Sequence, residues 1–203
     1  MADQTTPPMT HDFSGLQNAI RRLYPQCTSD EWNFFQSGFR VETLKAHEFF
    51  VQVRQEHRLS FVHQGLMRVY YVNPQGQEST IRFASEGYYS TDYYAFLTQT
   101  PSLFHLQSLE PTTLLTASYA HIQQCYQLYP GWERYGRAIA ERLFKEQHQR
   151  IFSFQLDSAE QRYLQFIQDY PALFNRVSLT HLSSYLGIER QSLSRIRKKI
   201  AGH

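Results

Sequence analysis

The stretch HLSSYLGIERQSLSRIRKKI, residues 181–200, decides how the whole chain is interpreted. Leucines at helical spacing lead up to Gly187, and a second apolar set with the same spacing follows it. Ser178 is a suitable N-cap for the first helix, and Gly187 accepts the left-handed backbone conformation that ends it. The small side chain of Ser183 lets a second helix cross closely. The pattern therefore predicts a helix-turn-helix, two short helices crossing at a steep angle.

The second predicted helix has two chemically different faces. Its apolar positions, Leu193, Ile196 and Ile200, form the side expected to be buried. Arginine pairs bidentately with guanine and glutamine with adenine, so the opposite side is predicted to read base edges through Arg190, Gln191, Ser194 and Arg195. Hydroxyls of the first helix and the later cations are placed for phosphates, which gives a predicted set of Ser178, Thr180, Ser192, Arg197, Lys198 and Lys199. A helical hairpin that binds no DNA is the alternative.

Charge is divided unevenly along the chain. Residues 172–203 carry six basic residues and one acid, a net charge of +5, whereas residues 1–171 carry 14 basic and 17 acidic groups, a net charge of −3. A basic tail on a mildly acidic body favours contact with a polyanion. The alternative is a solvated helix end, whose lysines the helix dipole stabilises.

A long helix is predicted over residues 130–156. Its apolar positions follow one another at steps of three or four, apart from a step of eight between Leu143 and Ile151. Such a helix usually lies along its own domain, but a long one that leaves a β-domain can instead pair with its copy in a second chain, here through Ile139, Leu143, Ile151 and Phe154. After it, Ser158 and Gln161 match a capping box that opens a further helix.

The preceding region, about residues 48–118, consists of short β-type runs separated by glycine and proline turn signals. The runs are 49–53, 59–63, 66–72, 79–83, 104–109 and 113–118. Asn73–Gly76 predicts a hairpin turn. Strands this short and regular are typical of an antiparallel barrel or jelly roll. Residues 14–37 predict one or two short helices broken at Pro25.

Catalytic and metal chemistry are not predicted. His47, Glu48, His57 and His63 lie in strand-like territory, where small β-barrels do bind metals, but they form no His-x-His pair followed by a glutamate. Nucleophile signatures of recognisable spacing are also lacking. Metal analysis of the purified protein distinguishes a metal site from side chains that bind no metal.

Several features together predict a cytoplasmic protein. The only two cysteines are far apart, so they make neither a disulfide framework nor an iron–sulfur site, and nothing in their placement supports haem sensing. No apolar run approaches the roughly 18 residues of a membrane span. The first residues lack the pattern of a secretory signal.

With these elements in place, the sequence resembles the Crp/Fnr family of bacterial transcription regulators. The C-terminal YLGIERQSLSRIRKKI and the central GLMRVYYVNPQGQESTIRFASEGYYSTDYYAFL carry the resemblance. It implies an α+β fold with an antiparallel, cyclic-nucleotide-binding-like β-roll (14–129), a dimerisation helix (130–156) and a helix-turn-helix DNA-binding domain (157–203). It also implies a homodimer on a pseudo-palindromic operator of double-stranded DNA, with RNA polymerase as a further partner.

The resemblance places Arg190, Gln191 and Arg195 at the family's base-reading positions. The commonest family pattern has a glutamate at the position of Gln191. Glutamate accepts a hydrogen bond from the amino group of cytosine whereas glutamine suits adenine, so a different base preference is expected at that step. Family members also follow the recognition helix with a β-hairpin wing, where this sequence has only Ala-Gly-His.

The implied effector pocket is degenerate; it comprises Gly87, Tyr88, Thr91, Asp92, Ser102 and Leu103. The family's phosphate cassette has a Gly-Glu pair, which falls here at Thr91-Asp92, and an Arg-Ser pair, which falls at Ser102-Leu103. Losing the arginine forfeits a charge-assisted pair of roughly 1.5–3 kcal/mol, so cyclic AMP is expected to bind weakly or not at all, and no cofactor is predicted. The tyrosines of residues 88–94 either line a pocket for another ligand or pack the roll shut.

The sequence is also compatible with a function that does not involve DNA. The chain could be a cyclic-nucleotide-binding-like ligand sensor that acts through protein contacts, with the helical tail as a docking hairpin. DNA affinity and its dependence on salt distinguish the two functions.

Overall fold

The computed structural model describes residues 12–54 and 58–201. Its strands are β1 (Phe39–Leu44), β2 (Phe49–Val51), β3 (Leu59–Gln64), β4 (Met67–Val72), β5 (Glu78–Ala84), β6 (His105–Ser108) and β7 (Thr112–Ala117). Its helices are α1 (Ser14–Leu23), α2 (Ser29–Ser37), α3 (Tyr93–Thr98), α4 (Tyr119–Leu128), α5 (Pro130–Leu156), α6 (Ala159–Asp169), α7 (Leu179–Leu186) and α8 (Arg190–Ala201). A short 3-10 turn covers Pro171–Leu173. The predicted α+β class is confirmed.

These strands form two antiparallel sheets, with the orders β1-β7-β3 and β2-β6-β4-β5. Apolar side chains from both sheets meet in one cluster that includes Val51, Val62, Met67, Leu106 and Leu114. The sheets therefore pack against each other as the predicted roll. Burial of the shared cluster drives this packing, since apolar area removed from water contributes roughly 25 cal/mol per Å².

The β4–β5 hairpin is closed by the predicted turn. The Asn73 Oδ1 accepts from the backbone N–H groups of Gln75 (3.0 Å) and Gln77 (2.9 Å). Gly76 has φ 79°, a conformation that glycine adopts without strain. The side chain of Asn73 thus substitutes for backbone partners inside the turn.

Three elements were not predicted from the sequence. Strand β1 lies before the first predicted strand and pairs with β7 from Phe39↔Ala117 to Leu44↔Thr112. Helix α3 follows an Asp92 cap, and helix α4 follows Ser118, whose hydroxyl accepts from the His121 N–H at 3.2 Å. The partner of β1 lies some seventy residues later, so local pattern alone does not reveal it.

A first core attaches helix α5 to the roll. Trp132 in the first turn of α5 is fully buried and stacks on Phe35 of α2, with ring centroids 4.0 Å apart. Tyr24 and Tyr135 meet the same indole edge-on. The N-terminal half of α5 is therefore fixed to its own domain.

A second core lies beneath α6, α7 and α8. It includes Phe166, Leu182, Leu186 and the fully buried Leu193, and it extends to Phe83 of β5. The C-terminal helices thus share a continuous apolar core with the roll.

Candidate nucleic-acid interface

Helix α7 begins and ends at the predicted residues. The Ser178 hydroxyl accepts from the His181 N–H at 3.1 Å, which satisfies one of the unpaired donors at the helix start. Gly187 ends the helix at φ 65°, with its N–H directed to the carbonyls of Ser183 and Ser184. Ser183 is buried where α7 meets its neighbours. The predicted glycine turn is confirmed.

Gly187 is also required by its surroundings. A Cβ at this position would lie 2.4 Å from Cε1 of Phe154, near the end of α5. The turn between α7 and α8 is therefore pressed against the long helix, and the lack of a side chain permits that approach.

Helix α8 presents the predicted polar face to solvent. Leu193 is fully buried, and Ile196 and Ile200 are partly buried against the second core. Arg190, Gln191, Arg195 and Lys198 are exposed, and Ser194 is partly exposed.

The cations of this face lack acidic partners. Within residues 12–54 and 58–201, no carboxylate lies within 4.0 Å of a charged nitrogen of Arg190, Arg195 or Lys198. Arg195 donates only a neutral hydrogen bond, from Nη2 to the Ser192 hydroxyl at 3.1 Å. The Ser194 hydroxyl donates to the Arg190 carbonyl at 3.1 Å. The guanidinium groups therefore keep most of their donors for an external acceptor.

The residues predicted to contact phosphates divide into two groups. Ser178, Thr180 and Lys198 are exposed around the same end of the molecule. By contrast, the Arg197 guanidinium lies 5.1 Å from the ring centroid of Phe174, and Lys199 pairs with Glu160 of α6 at 2.7 Å. Since exposed ion pairs contribute only about 0–1 kcal/mol, the pairing of Lys199 does not keep it from a stronger anion.

The helix-turn-helix is hydrogen-bonded to strand β5 of the roll. The Ser184 hydroxyl donates to the Glu78 carbonyl at 2.7 Å and accepts from the Thr80 N–H at 2.9 Å. The Arg150 Nη2 of α5 donates to the carbonyls of Thr80 (3.0 Å) and Tyr185 (2.8 Å). One guanidinium thus joins the long helix, the roll and the end of α7.

Arg176, just before α7, makes a second connection that sequence reasoning missed. Its guanidinium donates to both carboxylate oxygens of Glu86 at 2.9 Å and to Oε1 of Glu110 at 2.5 Å. Hydrogen bonds to these two carboxylates raise the pKa of Arg176. No local sequence pattern indicates this cluster, because Arg176 lies 66 and 90 residues from its two carboxylate partners.

The effector positions are occupied by contacts within the chain. The Asp92 Oδ1 caps α3 by accepting from the Ala95 N–H at 3.1 Å, and its Oδ2 accepts from the Ser102 hydroxyl at 2.8 Å. The Thr91 hydroxyl accepts from the Ser60 N–H at 3.0 Å. The positions that correspond to the family's ribose-binding glutamate and phosphate-binding arginine therefore bond to each other. Leu103 faces solvent, with 69% of its surface exposed.

Aromatic side chains fill the interior between the roll and α5. The hydroxyls of Tyr89 and Tyr135 are 3.0 Å apart, and burial raises the pKa of Tyr135 to about 12. A cavity beside Tyr93, Phe96 and Tyr126 has a volume of about 30 Å³. Ligand pockets usually have roughly 300–1,000 Å³, so this cavity is too small for a nucleotide.

The predicted dimer contacts do not share one face of α5. Ile139 packs against the first core and, with Leu143, lines the side facing the roll. Ile151 is 57% exposed, and Phe154 contacts the turn at Gly187. Ile139 and Leu143 thus make contacts within their own chain. The step of eight residues rotates the stripe by about 80° on a helix with 3.6 residues per turn.

An exposed apolar stripe lies instead on the outer face of α5. We call it the outer stripe; it comprises Phe144, His148, Ile151 and Phe152, and Phe144 is 70% exposed. The His148 ring lies 5.8 Å from that of Phe144 and 4.6 Å from that of Phe152, which makes the surface continuous.

The candidate metal ligands have other roles. The Glu48 carboxylate accepts from the Lys45 N–H at 2.7 Å, and His47 adopts a left-handed backbone at φ 64°. His57 lies outside the described residues. Among the side chains that the structure describes, no group of three or more His, Cys, Asp or Glu is arranged to hold a metal ion.

Comparison with known proteins identifies the fold. Residues 41–129 match the cyclic nucleotide-binding domain family. FixK2 from Bradyrhizobium japonicum superimposes with a TM-score of 0.73 at 12% identity, covering 81% of this chain and 85% of that one. The chain has the Crp/Fnr fold. The Crp/Fnr fold extends over the roll, α5 and the C-terminal helices.

Two further Crp/Fnr structures are similar over most of their length. The c-di-GMP-responsive global regulator CLP of Xanthomonas campestris has a TM-score of 0.68 at 17% identity, covering 86% of this chain and 92% of that one. The catabolite activator protein of Thermus thermophilus has a TM-score of 0.57 at 16% identity, covering 89% and 86%. No curated protein sequence matches the chain significantly. Every helix in the described residues is too short or too polar to cross a lipid bilayer.

Proposed function

We propose that this protein is a cytoplasmic, sequence-specific transcription regulator of the Crp/Fnr type. In this proposal residues 157–203 bind DNA, residues 130–156 form the dimer and residues 14–129 form the effector roll. One observation carries it: α8 displays Arg190, Gln191 and Arg195 without acidic partners while its apolar side is held by the second core.

The electrostatics of α8 support a nucleic-acid ligand. The segment containing it has a net charge of +5 and its cations are not neutralised within the described chain. Arginine forks directed at base edges provide sequence discrimination, and the surrounding hydroxyls and Lys198 suit phosphate oxygens. A homodimer would place two such helices about 34 Å apart, one turn of B-form DNA, and so address a pseudo-palindromic operator.

Cyclic AMP is not the effector in this proposal. The Asp92–Ser102 hydrogen bond holds the cassette positions to each other, and no guanidinium stands at Ser102. A cyclic phosphate there would lack its bidentate cation.

The test begins with selection of a preferred duplex from a random pool, followed by fluorescence anisotropy with that duplex. We expect Arg195→Ala to weaken binding by about 1–3 kcal/mol and to relax preference at one base pair. The wild-type affinity should fall steeply as salt rises, because phosphate contacts release counterions. Arg137→Ala is the matched control, since Arg137 is an exposed arginine on α5.

Two results would contradict DNA binding. One is an affinity for duplex that does not change with salt. The other is an equal loss of affinity in Arg137→Ala and Arg195→Ala. Either result favours the alternative in which α7 and α8 dock onto a protein.

A further inference from the structure

A small cavity lies at the seam between the roll and α5; we call it the seam cavity. It has a volume of about 40 Å³ and its lining includes Arg82, Tyr88, Tyr89, Tyr135, Arg142 and Glu146. One water molecule requires roughly 10–15 Å³, so the seam cavity has room for a group the size of a phosphate. Gly87 and Tyr88, two of the predicted effector residues, line this cavity rather than the one beside Tyr93 and Phe96.

Arg82 of β5 brings a positive charge into this cavity, where the attraction of the Glu146 carboxylate only partly offsets the effect of burial. Its Nη2 donates to the Tyr89 carbonyl at 2.7 Å, and none of the salt bridges in residues 12–54 and 58–201 includes it. Burial lowers the pKa of its guanidinium. A partly buried cation that makes no ion pair within the described residues is incompletely compensated, so an external counterion at this position would be favourable.

Arg142 of α5 approaches from the opposite wall. Its Nε donates to the Glu146 carboxylate at 2.9 Å, and its guanidinium lies 4.6 Å from the ring centroid of Tyr88. The two arginines and one carboxylate leave the cavity with a net charge of +1.

We propose that the seam cavity binds an oxyanion of the phosphate class between Arg82 and Arg142. Guanidinium forks suit this ligand, because their planar donors match phosphate oxygens bidentately. The ligand is either a free oxyanion or the phosphate group of a larger molecule that extends through the open side. The site differs from the family's cassette, since neither arginine occupies the position of Ser102.

The bound anion would connect β5 to α5. Strand β5 also carries Thr80, which bonds to α7 through Ser184, and α5 also carries Arg150, which bonds to Thr80 and Tyr185. The ligand therefore stabilises the same junction that holds the helix-turn-helix on the roll. Binding of the anion does not depend on binding of DNA, so the two proposals can fail separately.

The experiment measures thermal unfolding of the full chain in inorganic phosphate against chloride at equal ionic strength. We expect phosphate to raise the Tm of the wild type with a saturable dependence, as for any ligand that binds the native state alone. Arg82→Gln and Arg142→Gln should lose most of the saturable shift. A linear increase common to all variants reflects exclusion of phosphate from the surface.

Two matched variants locate the effect. Arg137→Gln removes an exposed arginine of α5, and Arg195→Gln removes one from the DNA-binding face; both should keep the wild-type shift. If Arg82→Gln does not fold, Arg142→Gln carries the test, because the Arg142 side chain is 44% exposed and tolerates substitution.

Phenyl phosphate distinguishes the two sources of the ligand. The quantity compared is the ligand concentration that gives half of the saturable Tm shift. If this concentration is at least three-fold lower for phenyl phosphate than for inorganic phosphate, the site binds the phosphate group of a larger molecule. Equal concentrations assign the site to a free oxyanion. The proposal is overturned if the wild type shows no saturable shift. It is also overturned if Arg82→Gln and Arg142→Gln both keep the shift, or if Arg195→Gln alone abolishes it.

Discussion

At the scale of single residues, three arginines show how surroundings assign a role to one side chain. Arg176 is neutralised by Glu86 and Glu110 and serves as a connection between domains. Arg82 donates to the backbone carbonyl of Tyr89 at 2.7 Å and carries its charge into a cavity. Arg195 bonds only to a serine hydroxyl and faces solvent. Charge alone does not separate these roles; the acceptors around each guanidinium do.

His181 makes the stability of the junction depend on pH. Burial, and to a smaller extent the charge of Arg68, lower its pKa from 6.5 to about 4; Glu78 opposes this shift and His47 adds to it. Between these pH values the unfolded chain binds a proton that the folded chain does not, so stability is complete above about pH 6.5 and falls as the pH drops towards 4. Allowing for solvent screening, we expect a loss of about 1–2 kcal/mol.

Urea unfolding at pH 7.5 and pH 5.0 measures this effect. The difference between the two free energies of unfolding should be smaller in His181→Gln than in the wild type. An undiminished difference in the variant would assign the pH dependence to other groups.

At the scale of elements, the α7–α8 turn depends on a glycine for two separable reasons. In Gly187→Ala, an alanine must adopt a left-handed backbone conformation, which destabilises the fold by roughly 1–2 kcal/mol. Its added methyl group also clashes with the Phe154 ring. Gly76→Ala is a matched control, since Gly76 has φ 79° and nothing within 4 Å of an added Cβ. We expect Gly187→Ala to be the more destabilising substitution in urea unfolding.

A double-mutant cycle isolates the contact with Phe154. In a Phe154→Ala background the cost of Gly187→Ala should fall to that of Gly76→Ala, because only the backbone strain remains. Equal costs for Gly187→Ala in both backgrounds would show that α5 and the turn do not press on each other.

At the scale of the whole molecule, α5 divides its length between two tasks. Its first half is buried against the roll through Trp132, and its second half exposes the outer stripe. A contiguous apolar stripe on a long helix is suited to pairing with a second copy. We expect Phe144→Glu and Ile151→Glu each to shift the protein from dimer to monomer in sedimentation equilibrium.

Leu103→Glu is the control for this prediction, because Leu103 is as exposed as Phe144 but lies on the roll. A dimer that survives both stripe substitutions, or that dissociates with Leu103→Glu, would place the interface elsewhere.

Local patterns predicted much of the fold. The capping box at Ser158 and Gln161, the hairpin at Asn73–Gly76 and the stop at Gly187 are all confirmed. Each depends on residues within a few positions of one another, so the sequence contains all the interacting partners. Strand β1 and helix α4 were missed because their stability comes from distant partners in the first core and in β7.

The sequence by itself determined the order of the roll, the long helix and the helix-turn-helix, and the polar face of α8, because periodicity and glycine placement act within single helices and turns. Only the tertiary structure decided which face of α5 is exposed, that Asp92 and Ser102 bond to each other, and that Arg82 and Arg142 meet in the seam cavity. Those outcomes depend on which side chains are brought together across 10 to 60 residues of chain, and packing of the two cores fixes them.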